Sequence, residues 1–137
     1  NPDLSLPHLP ITWIRRSEGS GSTYAFTAHL AAVSPEWKKE IGVNKSVTWR
    51  VGIGAKGTDG VAALIEQTPG ALGYVEYGFA ELAHLPVVAL ENRAGRFVTP
   101  SASSNAAALA GVKVPDDFRV AVPDPVPADA YPIVTYT

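Results

Sequence analysis

Residues 11–26 read ITWIRRSEGSGSTYAF, a segment in which two different periodic patterns are joined by a short polar turn. The alternating residues 11–15 predict a β-strand, and the apolar spacing of residues 24–33 predicts an α-helix. Glycine and serine dominate the turn between them, residues 16–23. The segment therefore predicts a strand, a turn and a helix N-terminus in direct succession.

This junction has the composition of an anion-binding site. The first N–H groups of a helix lack intrahelical acceptors, and the helix dipole adds partial positive charge there. Ser20, Ser22 and Thr23 add hydroxyl groups, and Arg16 adds a planar fork of N–H donors. The alternative is an ordinary junction in which Ser20 is only an N-cap. Arg16 favours the anion, because a cation beside a helix N-terminus is unfavourable unless an anion lies between them.

Composition limits the classes of protein to which the chain can belong. Its 137 residues fit one domain, 1–137, and 46% hydrophobic residues are enough for a core. The formal net charge of −2 gives no basic field for a nucleic acid or an acidic membrane. Without cysteine there is neither a disulfide framework nor a cysteine-based metal site.

Strand-like and helix-like segments alternate along the chain, which predicts an α/β fold with a partly parallel sheet. In the first helix, Phe26, Leu30 and Val33 share one face. The other predicted helices are 36–41, 77–84, 101–110 and one capped by Thr58 or Asp59 that runs to about Gln67; the other predicted strands are 47–51, 71–75, 87–90, 118–122 and 133–136, with a loop at 52–57 and a turn at 92–96.

Residues 52–58, GIGAKGT, resemble a nucleotide-binding P-loop only superficially. A P-loop has four residues between its first glycine and a Gly-Lys pair, followed directly by Ser or Thr. Here the order is Lys56-Gly57 and the spacing differs. A tight turn before a helix is therefore the preferred interpretation.

Other polar residues give no catalytic or metal-binding pattern. Glu76 has no partner carboxylate nearby and is interpreted as a polar residue at a strand–helix junction. His8, His29 and His84 are scattered without ligand spacing. Ser20 lacks the Gly-x-Ser-x-Gly frame of a serine nucleophile. We therefore predict binding without catalysis, with no cofactor and no metal.

Several ordered motifs resemble the anion-binding proteins of phosphate-specific ABC transporters. The matching segments, in the same order, are 11–27, 35–37, 47–49, 52–61, 68–77 and 131–133. Those proteins are type II periplasmic binding proteins, in which two α/β lobes joined by a hinge close on phosphate. The resemblance implies that this chain is the second, central lobe only, a mixed and mostly parallel sheet flanked by helices, and that the first lobe is missing.

The resemblance also implies a set of phosphate ligands. Arg16 would donate two N–H bonds, Ser20 its hydroxyl and backbone N–H, and Gly21 a backbone N–H, with Ser22 in the place of the family's threonine. Glu18 replaces the usual aspartate that orients the arginine. Supporting residues would be Glu18, Gly19 and Thr23. The other lobe would supply further donors and a carboxylate that accepts a hydrogen bond from the protonated phosphate.

The partners that the resemblance implies are inorganic phosphate, the first lobe, a membrane permease and an ATPase, and no nucleic acid. It places the protein in the periplasm or at the outer face of the cell membrane. Because the lone lobe leaves its site open to water, we expect millimolar affinity, about 4 kcal/mol or less. The alternative is an isolated or engineered lobe that serves as a stand-alone folding or assembly unit, for which a homodimer through the exposed cleft surface is predicted.

Overall fold

A computed structural model of the chain describes residues 3–113, 116 and 120–135. Its α-helices are α1 (Gly21–Val33), α2 (Pro35–Glu40), α3 (Gly57–Gln67), α4 (Tyr77–Leu82) and α5 (Ala102–Leu109). Its strands are β1 (Thr12–Arg16), β2 (Ile53–Ala55), β3 (Ala71–Gly73), β4 (Leu90–Glu91), β5 (Phe97–Val98), β6 (Val122–Pro123) and β7 (Ile133–Val134). None of these helices is long and apolar enough to cross a membrane.

The main sheet has three parallel strands in the order β2-β1-β3. The central strand β1 pairs Ile14 with Ile53 on one side and Thr12 with Ala71 on the other. Antiparallel pairing occurs in two separate two-stranded sheets, β4-β5 and β6-β7. The predicted α/β class is confirmed, with the parallel and antiparallel pairs in different sheets.

Successive side chains of β1 point to opposite faces of the main sheet, and each face packs against a helix. On one face, Ile14 is fully buried and forms the core with Ala55 of β2 and Val61 of α3. On the other face, Trp13 stacks on Phe26 of α1 at a ring-centroid distance of 5.2 Å. The apolar residues around the Ile14 core are Leu64, Ile65, Ala71 and Val75.

The predicted strand at 47–51 is wrong. No regular element forms there, and the segment instead lies over the aromatic face of the sheet, where Trp49 contacts Trp13, Phe26 and Trp37. The predicted loop at 52–57 is also wrong, since its middle forms strand β2 beside β1. Side-chain stacking, not strand pairing, therefore holds the alternating segment.

The buried face of α1 also differs from the prediction. Val33 is 50% exposed, whereas Thr23, Thr27 and Ala31 are buried. The hydroxyl of Thr27 donates to the carbonyl oxygens of Tyr24 and Asn44, at 3.1 and 3.2 Å. Because these bonds satisfy the hydroxyl, a threonine can take a core position of the helix.

The C-terminal part of the chain contains two antiparallel strand pairs, of which β6-β7 packs against α1. The turn predicted at 92–96 is confirmed: buried Asn92 accepts the N–H groups of Ala94 and Arg96 and donates to the carbonyl oxygens of Ala128 and Ala130. Of the strand predicted at 87–90, only Leu90 is in a strand, β4. Of those predicted at 118–122 and 133–136, residues 118, 119 and 136 lie outside the described residues, and the described remainder contains part of β6 and all of β7.

Candidate anion-binding site

Three helices begin at one edge of the main sheet. Strand β1 is followed by α1, β2 by α3 and β3 by α4, and parallel strands end at the same edge. The chain passes from β1 to β2 on one side and then to β3 on the other, so the strand order reverses between β1 and β3. In open α/β sheets, ligands bind in the crevice outside such a reversal.

The first turn of α1 has free donors at this edge. Ser20 is the N-cap, and its hydroxyl oxygen accepts the N–H of Thr23 at 3.2 Å. The backbone N–H groups of Gly21 and Ser22 have no acceptor among the described residues. The backbone N–H of Ser20 is occupied, because it donates to the carbonyl oxygen of Lys45 at 2.8 Å. Ser20 can therefore offer an anion its hydroxyl proton but not the backbone N–H that the resemblance implied.

Glu18 holds the guanidinium of Arg16. The Glu18 Oε1 atom accepts Arg16 Nε at 2.8 Å, lies 2.5 Å from Arg16 Nη2 and also accepts the N–H of Gly57 at 3.0 Å. The hydrogen bonds from Arg16 and then from Gly57 lower the pKa of Glu18 from 4.5 to about 2. The ionised carboxylate of Glu18 thus accepts a backbone N–H at the start of α3 and holds the guanidinium of Arg16 in place.

Arg16 keeps donors for a further ligand. A guanidinium has five N–H donors. Glu18 accepts from Nε and Nη2, and Thr58 Oγ1 accepts from Nη1 at 3.4 Å. One N–H on each of the two terminal nitrogens therefore has no acceptor among the described residues, and two such donors suit a tetrahedral oxyanion.

Two hydroxyl groups donate to the carboxylate of Glu76. Ser22 Oγ donates to Glu76 Oε1 through a short hydrogen bond, and Thr58 Oγ1 donates to Oε2 at 2.9 Å. Burial alone would raise the pKa of Glu76, but the hydrogen bonds from Ser22 and Thr58 and the charge of Arg16 lower it overall. A chain of side-chain contacts, Arg16 to Thr58 to Glu76 to Ser22, thus connects the arginine to the first turn of α1.

Tyr74 anchors the same edge from the aromatic face. Its hydroxyl lies 2.6 Å from Thr23 Oγ1 and accepts the backbone N–H of Arg16 at 3.4 Å. Its ring stacks on Phe26 at a centroid distance of 4.9 Å. The end of β1 and the first turn of α1 are therefore tied to one side chain that follows β3.

Predicted and unpredicted residues meet in this arrangement. The structure brings Arg16 and Glu18 into an ion pair, and it places Ser20 to Thr23 at the helix start, as the motif predicted. Sequence reasoning missed Thr58, Tyr74 and Glu76 as members of the cluster. Thr58 is not a helix cap, since Lys56 holds that position. The common signal is that each follows the end of a parallel strand.

The remaining candidates give no second site. Within the described part of the chain, no group of His, Cys, Asp and Glu side chains could hold a metal ion. Within residues 52–58, Ile53–Ala55 form β2 and Gly57 begins α3, where the N–H of Gly57 already donates to Glu18.

Comparison with known proteins identifies one family and one group of relatives. The family model described as a PBP superfamily domain matches residues 2–137. The chain is 41% identical over 135 residues to the phosphate-binding protein PstS of Xylella fastidiosa strain Temecula1, an alignment that covers 97% of this chain and 37% of the relative. It is 45% identical over 113 residues to PstS of Haemophilus influenzae, covering 82% and 34%.

An archaeal relative matches over a similar region. PstS of Methanocaldococcus jannaschii is 36% identical over 158 aligned positions, which cover 100% of this chain and 39% of the relative. The chain thus spans little more than a third of the length of these relatives. Each of the three is named for binding phosphate, and none of the names gives a catalytic activity.

Proposed function

We propose that this chain, which belongs to the PBP superfamily, binds inorganic phosphate at the edge of its parallel sheet. The chain would form one half of a solute-binding cleft. One observation is the main support. Among the described residues, two N–H groups of Arg16 have no acceptor, and neither do the backbone N–H groups of Gly21 and Ser22 in the first turn of α1. We take the anion to be phosphate because the relatives are named for binding phosphate.

Each ligand has a defined role in this proposal. Arg16 supplies the positive charge and a two-pronged contact to two phosphate oxygens. Gly21 and Ser22 donate backbone N–H groups, and Ser20 donates its hydroxyl proton while its oxygen continues to cap the helix. Glu18 keeps the guanidinium oriented. Gly19 and Thr23 support the loop and the first helical turn.

We further propose that residues 1–137 form one domain, a lobe that works with a second one. A first lobe would close the cleft, and a permease and an ATPase would take up the released phosphate. The protein would then work in the periplasm or at the outer face of the cell membrane. A stand-alone folding unit is the less favoured function. The three relatives, whose alignments cover 82–100% of this chain, are all named for phosphate binding. The homodimer predicted for a stand-alone unit can be tested by light scattering.

Amide NMR titration of the isotope-labelled chain tests the proposal. Phosphate should shift the Gly21 and Ser22 resonances with a dissociation constant in the millimolar range, about 4 kcal/mol. Arg16→Ala should abolish these shifts. The matched control is Arg50→Ala, because Arg50 also forms a 2.5 Å ion pair, with Glu40, on an exposed surface. Equal loss in both variants would refute the site. Micromolar affinity would refute the open half-site.

A further inference from the structure

We propose that Glu76 determines which oxyanions this site accepts, by accepting the hydrogen bond of the Ser22 hydroxyl so that the Ser22 oxygen in turn accepts a hydrogen bond from the bound anion. The inference rests on the proposed function. It concerns a carboxylate inside this chain, distinct from the acceptor that the resemblance places on the other lobe.

The proton count at the carboxylate is the first step. A serine or threonine hydroxyl has one proton to donate and lone pairs with which to accept. Ser22 donates a hydrogen bond to Oε1 of Glu76, and Thr58 donates one to Oε2 at 2.9 Å. Both hydroxyls therefore have no proton left for an anion while Glu76 is ionised.

The free lone pairs are the second step. The oxygen of Thr58 already accepts Nη1 of Arg16 at 3.4 Å. The oxygen of Ser22 accepts no hydrogen bond from the described residues, and it belongs to the first turn of α1 beside the free N–H groups of Gly21 and Ser22. An anion bound to those N–H groups would meet an acceptor at the Ser22 oxygen.

The stability of this orientation is the third step. If Ser22 turned its proton to the anion, an ionised, partly buried Glu76 would lose one of its two side-chain donors. Hydrogen bonds to ionised groups are stronger than those between neutral groups, and leaving such a group without a partner is costly. The lowered pKa of Glu76 agrees with a carboxylate that stays ionised here.

These steps predict a preference for anions that still have a proton. Near neutral pH, inorganic phosphate and arsenate retain at least one O–H group, which can donate to the Ser22 oxygen. Sulfate has none, so one of its oxygens would face an acceptor with no proton between them. Glu76, acting through Ser22, is therefore a positioning residue that favours phosphate over sulfate.

Glu76→Gln is the direct test. The glutamine amide can donate to the Ser22 oxygen, which releases the Ser22 proton for the anion. The phosphate and sulfate dissociation constants are measured by amide NMR titration at constant ionic strength. We expect the ratio of sulfate to phosphate dissociation constants to fall about tenfold. The matched control is Glu81→Gln in α4, the helix that Glu76 precedes. Oε1 of Glu81 accepts a hydrogen bond from the Tyr77 hydroxyl at 3.1 Å, and the ratio of dissociation constants in this variant should stay at the wild-type value.

Ser22→Ala provides a second, independent variant. It removes the acceptor itself, so the ratio should also fall, and adding Glu76→Gln to it should produce no further change. An unchanged ratio in Glu76→Gln with phosphate still bound would overturn this inference and leave the proposed function standing. If Glu76→Gln does not fold, an unchanged ratio in Ser22→Ala has the same meaning. A wild-type chain that binds no phosphate would overturn both.

Discussion

Replacing Ser20 with alanine should lower both the stability of the fold and the affinity for phosphate, because both depend on the Ser20 hydroxyl group. Ser20 is only 4% exposed, and its oxygen caps α1 by accepting the N–H of Thr23 at 3.2 Å. Loss of a serine N-cap costs about 1 kcal/mol of stability, in a range of roughly 0.5–2 kcal/mol. For a domain of this size, that corresponds to a fall in melting temperature of about 3–5 °C.

The same change should reduce phosphate affinity. The hydroxyl proton of Ser20 has no acceptor among the described residues, so a bound oxyanion would receive it. A hydrogen bond to a charged partner contributes about 1.5–3 kcal/mol, and its loss should raise the dissociation constant by roughly tenfold or more. The N–H of Thr23 would lose its acceptor at the same time.

Ser34→Ala is the matched control. Ser34 caps α2 in the same way, by accepting the N–H of Trp37 at 3.1 Å, and it lies at the opposite end of α1 from the anion site. Thermal unfolding followed by circular dichroism should show similar losses of stability in both variants. Amide NMR titration should show weaker phosphate binding in Ser20→Ala alone. Equal phosphate affinities in the two variants would refute a ligand role for the Ser20 hydroxyl, and an unchanged melting temperature in Ser20→Ala would refute the cap.

Three further changes probe other parts of the structure. Glu18 has a pKa lowered from 4.5 to about 2 in the folded state, so its stabilising effect is complete above pH 4.5 and disappears as the pH falls through about 2. The difference in melting temperature between wild type and Glu18→Gln should therefore shrink between these pH values, and a constant difference would contradict the ion pair. Asn92→Ala should cost about 2–4 kcal/mol, measured by urea unfolding, because it deletes four hydrogen bonds of a buried side chain; a loss below about 0.5 kcal/mol would argue against that network. Val61→Ala, at a fully buried position, should cost about 2 kcal/mol in the same assay, whereas Val126→Ala, at a 71% exposed position, should change stability by less than about 0.5 kcal/mol; equal effects would place the core elsewhere.

Local signals in the sequence were sufficient for the first strand, turn and helix. Alternation over β1 and a serine before α1 are patterns that depend on neighbours in the chain. The Arg16–Glu18 pair is equally local, since the two residues are separated by two positions. The junction was therefore predictable from the residues themselves, whereas the role of Glu18 in orienting Arg16 was predicted only through the family resemblance.

Elements that depend on distant partners were not predictable in this way. Strand β2 has three residues, one of them glycine, and it is a strand only because β1 lies beside it. The alternation at 47–51 is typical of a strand, but in the structure the side chain of Trp49 packs against Trp13 and no strand forms. In both places tertiary contacts override local propensity.

The carboxylate at the site was missed for the same reason. Glu76 is 54 positions from Ser22 and 18 from Thr58, and only the order of the parallel strands brings the three together. The buried threonines of α1 present a related difficulty. Thr23 and Thr27 look polar in a hydrophobicity pattern, yet they are buried because specific hydrogen bonds satisfy their hydroxyls.

The central place of β1 in its sheet has a kinetic consequence. Both neighbours of β1 come later in the chain, and Arg16 is 58 positions from Tyr74. Closing such long loops slows folding, because chain entropy is lost before the contacts form. The chain must therefore be complete through β3 and the start of α4 before the anion-binding edge can assemble. Until that segment is present, Arg16 and the first turn of α1 would lack their contacts with Tyr74 and Glu76.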